Sequence, residues 1–172
     1  MKQLDTTQWK TFKVGELFEV SNSKGINANQ VEFIGSTPYV SRTDKNNGIV
    51  GYINEDKEKL NPANTISFGQ DTWTLFYQKE SYFTGNRVKV LKLKGYELNE
   101  NIALFLIICL KKIFSSFSWG ASSKEIDFNN RIILLPVKDD DSIDFEFMEN
   151  YIINLKKEVD KKLNDLVSLS YI

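Results

Sequence analysis

Four polar stretches hold the side chains of this sequence best suited to chemistry at a surface. They are Arg42-Thr43-Asp44-Lys45-Asn46-Asn47, Gln70-Asp71-Thr72-Trp73, Thr84-Gly85-Asn86-Arg87 and Ser118-Trp119-Gly120-Ala121-Ser122-Ser123-Lys124. Arg and Lys donate to the paired acceptors of guanine, Asn and Gln match the edge of adenine, and Ser, Thr and backbone amides hold phosphates. A polar loop by itself is ordinary surface. Four in one chain, three with Lys or Arg and two with Trp, have the composition of a recognition surface. The residues singled out for contact with DNA are Arg42, Lys45, Asn46, Gln70, Thr72, Asn86, Arg87, Ser123 and Lys124.

A catalytic set is harder to assemble. The chain has no His, which removes Ser-His-Asp triads and His-bearing zinc sites. Its one Cys, Cys109, lies in the apolar run Ile102-Ala103-Leu104-Phe105-Leu106-Ile107-Ile108-Cys109-Leu110 and reads as a small buried hydrophobe. No Walker loop is present. Asn61-Pro62-Ala63-Asn64 lacks the second Pro and the aromatic of the amino-methyltransferase motif and reads as a plain turn. Glu55-Asp56-Lys57 has the Glu-x-Lys spacing of metal-dependent nucleases, but in the charged run Glu55-Asp56-Lys57-Glu58-Lys59 it reads as a solvated loop. Asp139, Asp140 and Asp141 read as an acidic turn before a helix. The expectation is a non-enzyme that binds no cofactor or metal of its own.

Charge is distributed unevenly along the 172 residues. Residues 1–94 carry a net +3 and residues 138–172 a net −4, within a total of −1. The front half suits a polyanion and the tail does not. Residues 1–5 lack the apolar core of a signal peptide, and the run at 102–110 is far short of the roughly 20 residues that span a bilayer. A cytoplasmic protein without membrane contact is expected.

The elements that must position these loops follow from periodicity. Strands are predicted near 9–14, 36–41 (an edge strand, from Pro38), 49–53, 65–68, 74–77 and 88–93, with a short turn or helix at 15–20 and loop signals at 21–25. Asn47-Gly48 favours a tight hairpin turn. Val88, Val90, Leu91 and Leu93 alternate with a small slip of phase. A helix over 99–114, capped by Asn99 and apolar on almost every face, should form the core, and 131–137 reads as a buried strand. A last helix over 144–169 carries Phe145, Met148, Ile152, Leu155, Val159, Leu163 and Leu166 in a narrow seam. At 1.5 Å per residue it would extend about 37 Å. Such a seam pairs with a second helix or packs back on its own domain. The fold class is α+β, a twisted mixed sheet with a buried helix over residues 1–138, then a coiled-coil-like helix over 139–172.

The order of these pieces resembles a known family, the target recognition domain of the DNA specificity subunit of type I restriction-modification systems, with features of the type IIB-like branch. Trp9-x-x-Phe12-x-Val14-Gly15-x-Leu17-Phe18 with Lys24-Gly25 looks like its opening segment, and Gly35-x-x-Pro38-Tyr39-Val40 followed by Asn47-Gly48-Ile49-x-Gly51-Tyr52 like its first hairpin. Leu134-Leu135-Pro136-Val137, then Ile143-Asp144-x-x-Phe147-Met148-x-x-Tyr151-Ile152, looks like the closing strand and spacer helix. The likeness runs from Trp9 to Leu166.

The resemblance implies a domain that docks in the major groove of double-stranded DNA and reads half of a bipartite site. The helix would act as a ruler to a second recognition domain. Chemistry would belong to partners: a methyltransferase subunit that uses S-adenosylmethionine, and a restriction subunit with motor and nuclease activity. The family usually carries two recognition domains and two long helices. One copy of each points to a half-subunit that forms a homodimer, or to one domain of a split system. Met148, Ile152, Leu155, Val159, Leu163 and Leu166 would be the dimerisation seam. A two-fold dimer would read a palindromic interrupted site. Two other readings stand beside this one: a protein-binding adaptor or inhibitor with the same fold, and a divergent nuclease built on Glu55 and the aspartates.

Overall fold

The computed structural model describes residues 4–114 and 128–169. In chain order its elements are β1 (Lys10–Lys13), α1 (Val14–Leu17), β2 (Phe18–Asn22), β3 (Thr37–Val40), β4 (Ile49–Ile53), β5 (Thr65–Gly69), β6 (Thr74–Gln78), β7 (Phe83–Thr84), β8 (Val88–Leu93), α2 (Glu100–Phe114), β9 (Ile132–Leu135) and α3 (Phe145–Leu169). An antiparallel sheet runs β2-β8-β5-β6, a smaller mixed sheet runs β4-β3-β7 with β3 and β7 parallel, and β1 pairs with β9. The mixed α+β architecture matches the expectation.

β8 explains its own irregular pattern. Val90 packs with Val40 and Tyr82 under the small sheet, whereas Leu91 and Leu93 join the main core with Ile66, Ile102 and Leu106. The register to both β2 and β5 is unbroken. There is no slip: successive side chains point to opposite faces, and both faces are covered.

α2 fills the centre. Ile102, Ala103, Phe105, Leu106, Ile107 and Leu110 are buried, and the Asn99 side chain accepts the Ile102 amide at 3.0 Å as the predicted cap. Cys109 is mostly buried beside them, and burial pushes its thiol up to about 11, well away from a nucleophile's range.

Three local expectations change. β2 occupies residues that include the expected loop at 21–22, because pairing with distant β8 overrides weak local propensity. β3 is central rather than an edge. Pro38 is tolerated because β7 is only two residues long and pairs with Tyr39 and Val40, past the missing N–H. β9 buries only Ile133 and Leu135, while Ile132 and Leu134 face outward, since its two-stranded sheet has one face on the core.

α3 starts where predicted, with the Asp144 carboxylate accepting the Phe147 amide at 2.9 Å. Its first two turns are rooted in the domain. Met148 and Ile152 belong to the main core, and Phe147 and Tyr151 join Trp9 and Phe105 in an aromatic cluster with ring centroids 5.7–6.4 Å apart. Lys156 reaches Glu100 at 3.1 Å and Asn101 at 2.9 Å on α2. Beyond that, Val159, Leu163 and Leu166 are 48%, 53% and 64% exposed. No helix of the described residues is long and apolar enough to cross a membrane.

Candidate nucleic-acid interface

Three of the four polar stretches meet at one corner of the domain. The first follows β3, the second is the β5–β6 hairpin, and the third links β7 to β8, so neighbouring strands bring their ends together. The Gln70 amide donates to the Arg87 carbonyl at 3.0 Å, and the Gly85 amide donates to the Val40 carbonyl at 2.8 Å. These bonds tie the second stretch to the third, and the third to the strand that leads into the first. Gly69 makes the close approach possible. A methyl group there would press into the Thr72 and Thr74 hydroxyls and sit 3.3 Å from the Arg42 β-carbon.

The charged groups converge as well. Arg42 and Arg87, from separate loops, both donate through Nη1 to the same Asp71 carboxylate oxygen, Arg87 at 2.8 Å. All three side chains remain partly open to solvent. Two residues of this corner adopt left-handed backbone, Trp73 at φ 57° and Arg87 at φ 63°. For residues with a β-carbon this costs about 1–2 kcal/mol each, a strain that clusters at functional positions. The Trp73 amide closes the hairpin onto the Gly69 carbonyl at 2.9 Å, and its indole packs on Phe68 with ring centroids 5.8 Å apart.

Not all predicted residues join this cluster. Arg42, Gln70, Thr72 and Arg87 do. Asn86 lies beside it and bonds to Asn27, with which it shares the edge of the third loop. Lys45 and Asn46 sit at the far end of the first loop, where the Asn46 side chain turns back onto the Ile49 carbonyl at 3.1 Å. Asn46 and Asn47 are left-handed at φ 46° and 55°, followed by Gly48 at 79°. Asn-Gly chemistry is therefore present, in a longer loop than a tight hairpin. Asn47 points away from the cluster. Its side chain donates to the Tyr77 carbonyl at 2.8 Å, and Gln78 donates to the Asn47 carbonyl at 3.0 Å. Ser123 and Lys124 lie outside the described residues.

Asp71 was not among the residues singled out, although an acidic side chain at the tip of a loop expected to face a polyanion is itself a signal. The motifs set aside as structural have structural partners. Asn61 pairs through its backbone with Tyr82, whose hydroxyl meets the Thr65 hydroxyl at 3.1 Å and is pushed up to about 12 by burial. Glu55 pairs with Lys59 at 3.4 Å, and the Asp56 carboxylate accepts the Glu58 amide at 2.9 Å. Asp140 binds the Ser142 hydroxyl, which holds its carboxyl below the usual range, and Asp141 pairs with Lys10 at 2.6 Å. Among the described residues, no group of three or more His, Cys, Asp or Glu side chains is placed to hold a metal ion.

Residues 6–165 match the family described as the type I restriction modification DNA specificity domain. The chain belongs to that family. It is similar to the specificity subunit S.BcgI of the type II restriction enzyme BgcI from Heyndrickxia coagulans, with 26% identity over 162 residues, covering 92% of this chain and 47% of the relative. Among solved structures it shares its fold with the type I S subunit from M. genitalium, with 19% identity, a TM-score of 0.56 and coverage of 95% of this chain and 43% of that one. The HsdS subunit from Thermoanaerobacter tengcongensis gives 13% identity and a TM-score of 0.62, covering 92% and 40% respectively. The specificity-domain chain thus spans less than half the length of each of these relatives.

Proposed function

We propose that this chain reads one half of a bipartite target in double-stranded DNA on behalf of a restriction-modification complex. The convergence of Arg42, Gln70, Thr72 and Arg87 on one exposed corner of a specificity-family domain carries this reading. These side-chain types suit base edges in the major groove, and the net +3 of residues 1–94 suits the backbone around them. In this reading the chain does no chemistry and holds no cofactor. A methyltransferase subunit brings S-adenosylmethionine and flips the target adenine, and a restriction subunit cuts unmodified DNA. The outer part of α3, with half-buried Leu155 and exposed Val159, Leu163 and Leu166, pairs with another helix and sets the distance to a second recognition domain. That domain belongs to a second copy of this chain or to another polypeptide segment.

The test is a genome-wide map of methylated bases in cells that express the chain with its neighbouring methyltransferase, against methyltransferase alone. A bipartite adenine-methylated motif that depends on the chain is expected. A palindromic motif supports a homodimer, and an asymmetric one supports a different second domain. An active methyltransferase whose motif ignores the chain overturns the proposal and favours the adaptor or inhibitor reading.

A further inference from the structure

Asp71 is out of place on a surface that reads DNA. A carboxylate beside a polyanion is repelled by it, and here it also offsets one of the two guanidinium charges that should attract DNA. Simple phosphate binding is better served by Asn or Ser at this position. The geometry gives the carboxylate a different use. Both arginines approach it through Nη1 alone, and no hydrogen bond occupies Nε or Nη2 of either group among the described residues. A guanidinium carries five N–H donors in a planar fork. Fixing it at Nη1 therefore leaves its Nε–Nη2 edge intact, the edge that can meet two acceptors at once. Without the carboxylate, two long side chains on neighbouring loops repel each other and sample many rotamers.

We infer that Asp71 is a positioning residue, one carboxylate that pre-orients Arg42 and Arg87 side by side as a paired reader of guanine edges. The inference rests on the proposed DNA-reading function and names what this corner selects. Guanine O6 and N7, or two phosphate oxygens, satisfy such an edge equally well in hydrogen-bond terms. The net +1 of the triad favours the base: a reader of phosphate gains from every added positive charge, whereas a reader of bases gains from fixed direction. Arg87 makes its contact with Asp71 from left-handed backbone.

The experiment uses the full chain and a pool of random duplexes, followed by titration of three probes. These are the selected duplex, a scrambled duplex, and the selected duplex with 7-deazaguanine in place of guanine. For the unchanged chain the expected outcome is a selected half-site that contains guanine, and about a tenfold loss of affinity when N7 is removed. Asp71→Asn should lower the preference for selected over scrambled duplex about tenfold and abolish the 7-deazaguanine effect. It should also bind the scrambled duplex more tightly, with a salt slope steeper by about one counterion. In an Arg42→Ala, Arg87→Ala background, Asp71→Asn should leave the preference unchanged, and only its charge effect on the salt slope should remain. Thermal melting checks that each variant folds, and Asp71→Ser repeats the arm if Asp71→Asn does not.

The inference is overturned if Asp71→Asn keeps the original preference, if it changes affinity for all three probes equally, or if its effect on preference persists without the two arginines. If the unchanged chain selects no sequence at all, the proposed function falls and takes the inference with it. Selection of a motif that is indifferent to Asp71 leaves the function standing.

Discussion

The two halves of α3 carry the same sequence signal and have opposite fates. Met148 and Ile152 are 0% and 3% exposed, packed into the domain's main core, whereas Val159, Leu163 and Leu166 are 48–64% exposed on the same helix. Periodicity reports that a stripe will be covered, not what covers it. The flanking residues distinguish the halves. Near the root, Phe145, Phe147 and Tyr151 add aromatic contacts to Tyr96 and Phe105. Past Lys156, the positions outside the seam are Lys, Asp, Glu, Asn and Ser apart from Val167 and Leu169 near the end, with little to anchor against a domain. The root is a wall of the core, and the outer part is a lever of about 20 Å.

The contrast is broken most directly at the root. Met148→Ala or Ile152→Ala should remove about 2–5 kcal/mol of domain stability by opening a cavity, read as a lowered midpoint in urea. Equal stability in both variants would place the root outside the cooperative unit. A second test concerns two buried titratable groups, Cys109 against the core that the root completes and Tyr82 under the small sheet. In the unfolded chain Cys109 ionises near 9.0 and Tyr82 near 10.0, whereas burial holds them near 11 and 12 when folded. Both groups stay neutral in either state below about pH 9, where their full contribution is present. Folding should then weaken by about 2 kcal/mol per group as pH rises toward 12. Tyr82→Phe should flatten the upper part of that fall in melting curves.

The outer half should behave in reverse. Val159→Asp with Leu163→Asp should shift domain stability by no more than about 0.5 kcal/mol and, if the proposed partner helix belongs to a second copy, abolish self-association in analytical ultracentrifugation. Loss of folding would mean that the outer half is core after all. The smallest effect is expected where the halves join. Lys156 is exposed with both its partners on α2, so Lys156→Ala should cost about 0–1 kcal/mol and leave assembly intact.

Much of this layout was legible in the sequence for reasons that hold at short range. The alternation at 88–93, the Asn99 and Asp144 caps and the stripe of α3 are local signals, and each maps to its predicted element. What was illegible is non-local. The place of β3 between an antiparallel and a parallel neighbour depends on β7, two residues that no pattern marks as a strand. β2 exists because β8 is there to pair with it. At the corner proposed for recognition the loops were visible by composition, but their meeting was not, since sheet order brings Arg42 to Arg87 and Asp71. Asp71 was hidden for a further reason: reading loops for positive charge passes over the carboxylate that organises it.

One contact of the first loop has a consequence for anyone who would reprogram it. Asn47 leaves the corner where the loops meet and bonds to the Tyr77 carbonyl of β6, the last strand of the four-stranded sheet, while the Gln78 side chain bonds back to it. An uncovered strand of this kind templates edge-to-edge aggregation. The loop that carries Arg42 therefore also guards solubility. A graft that replaces residues 42–46 keeps the guard, but one that extends through Asn47 exchanges a new target for a sticky edge.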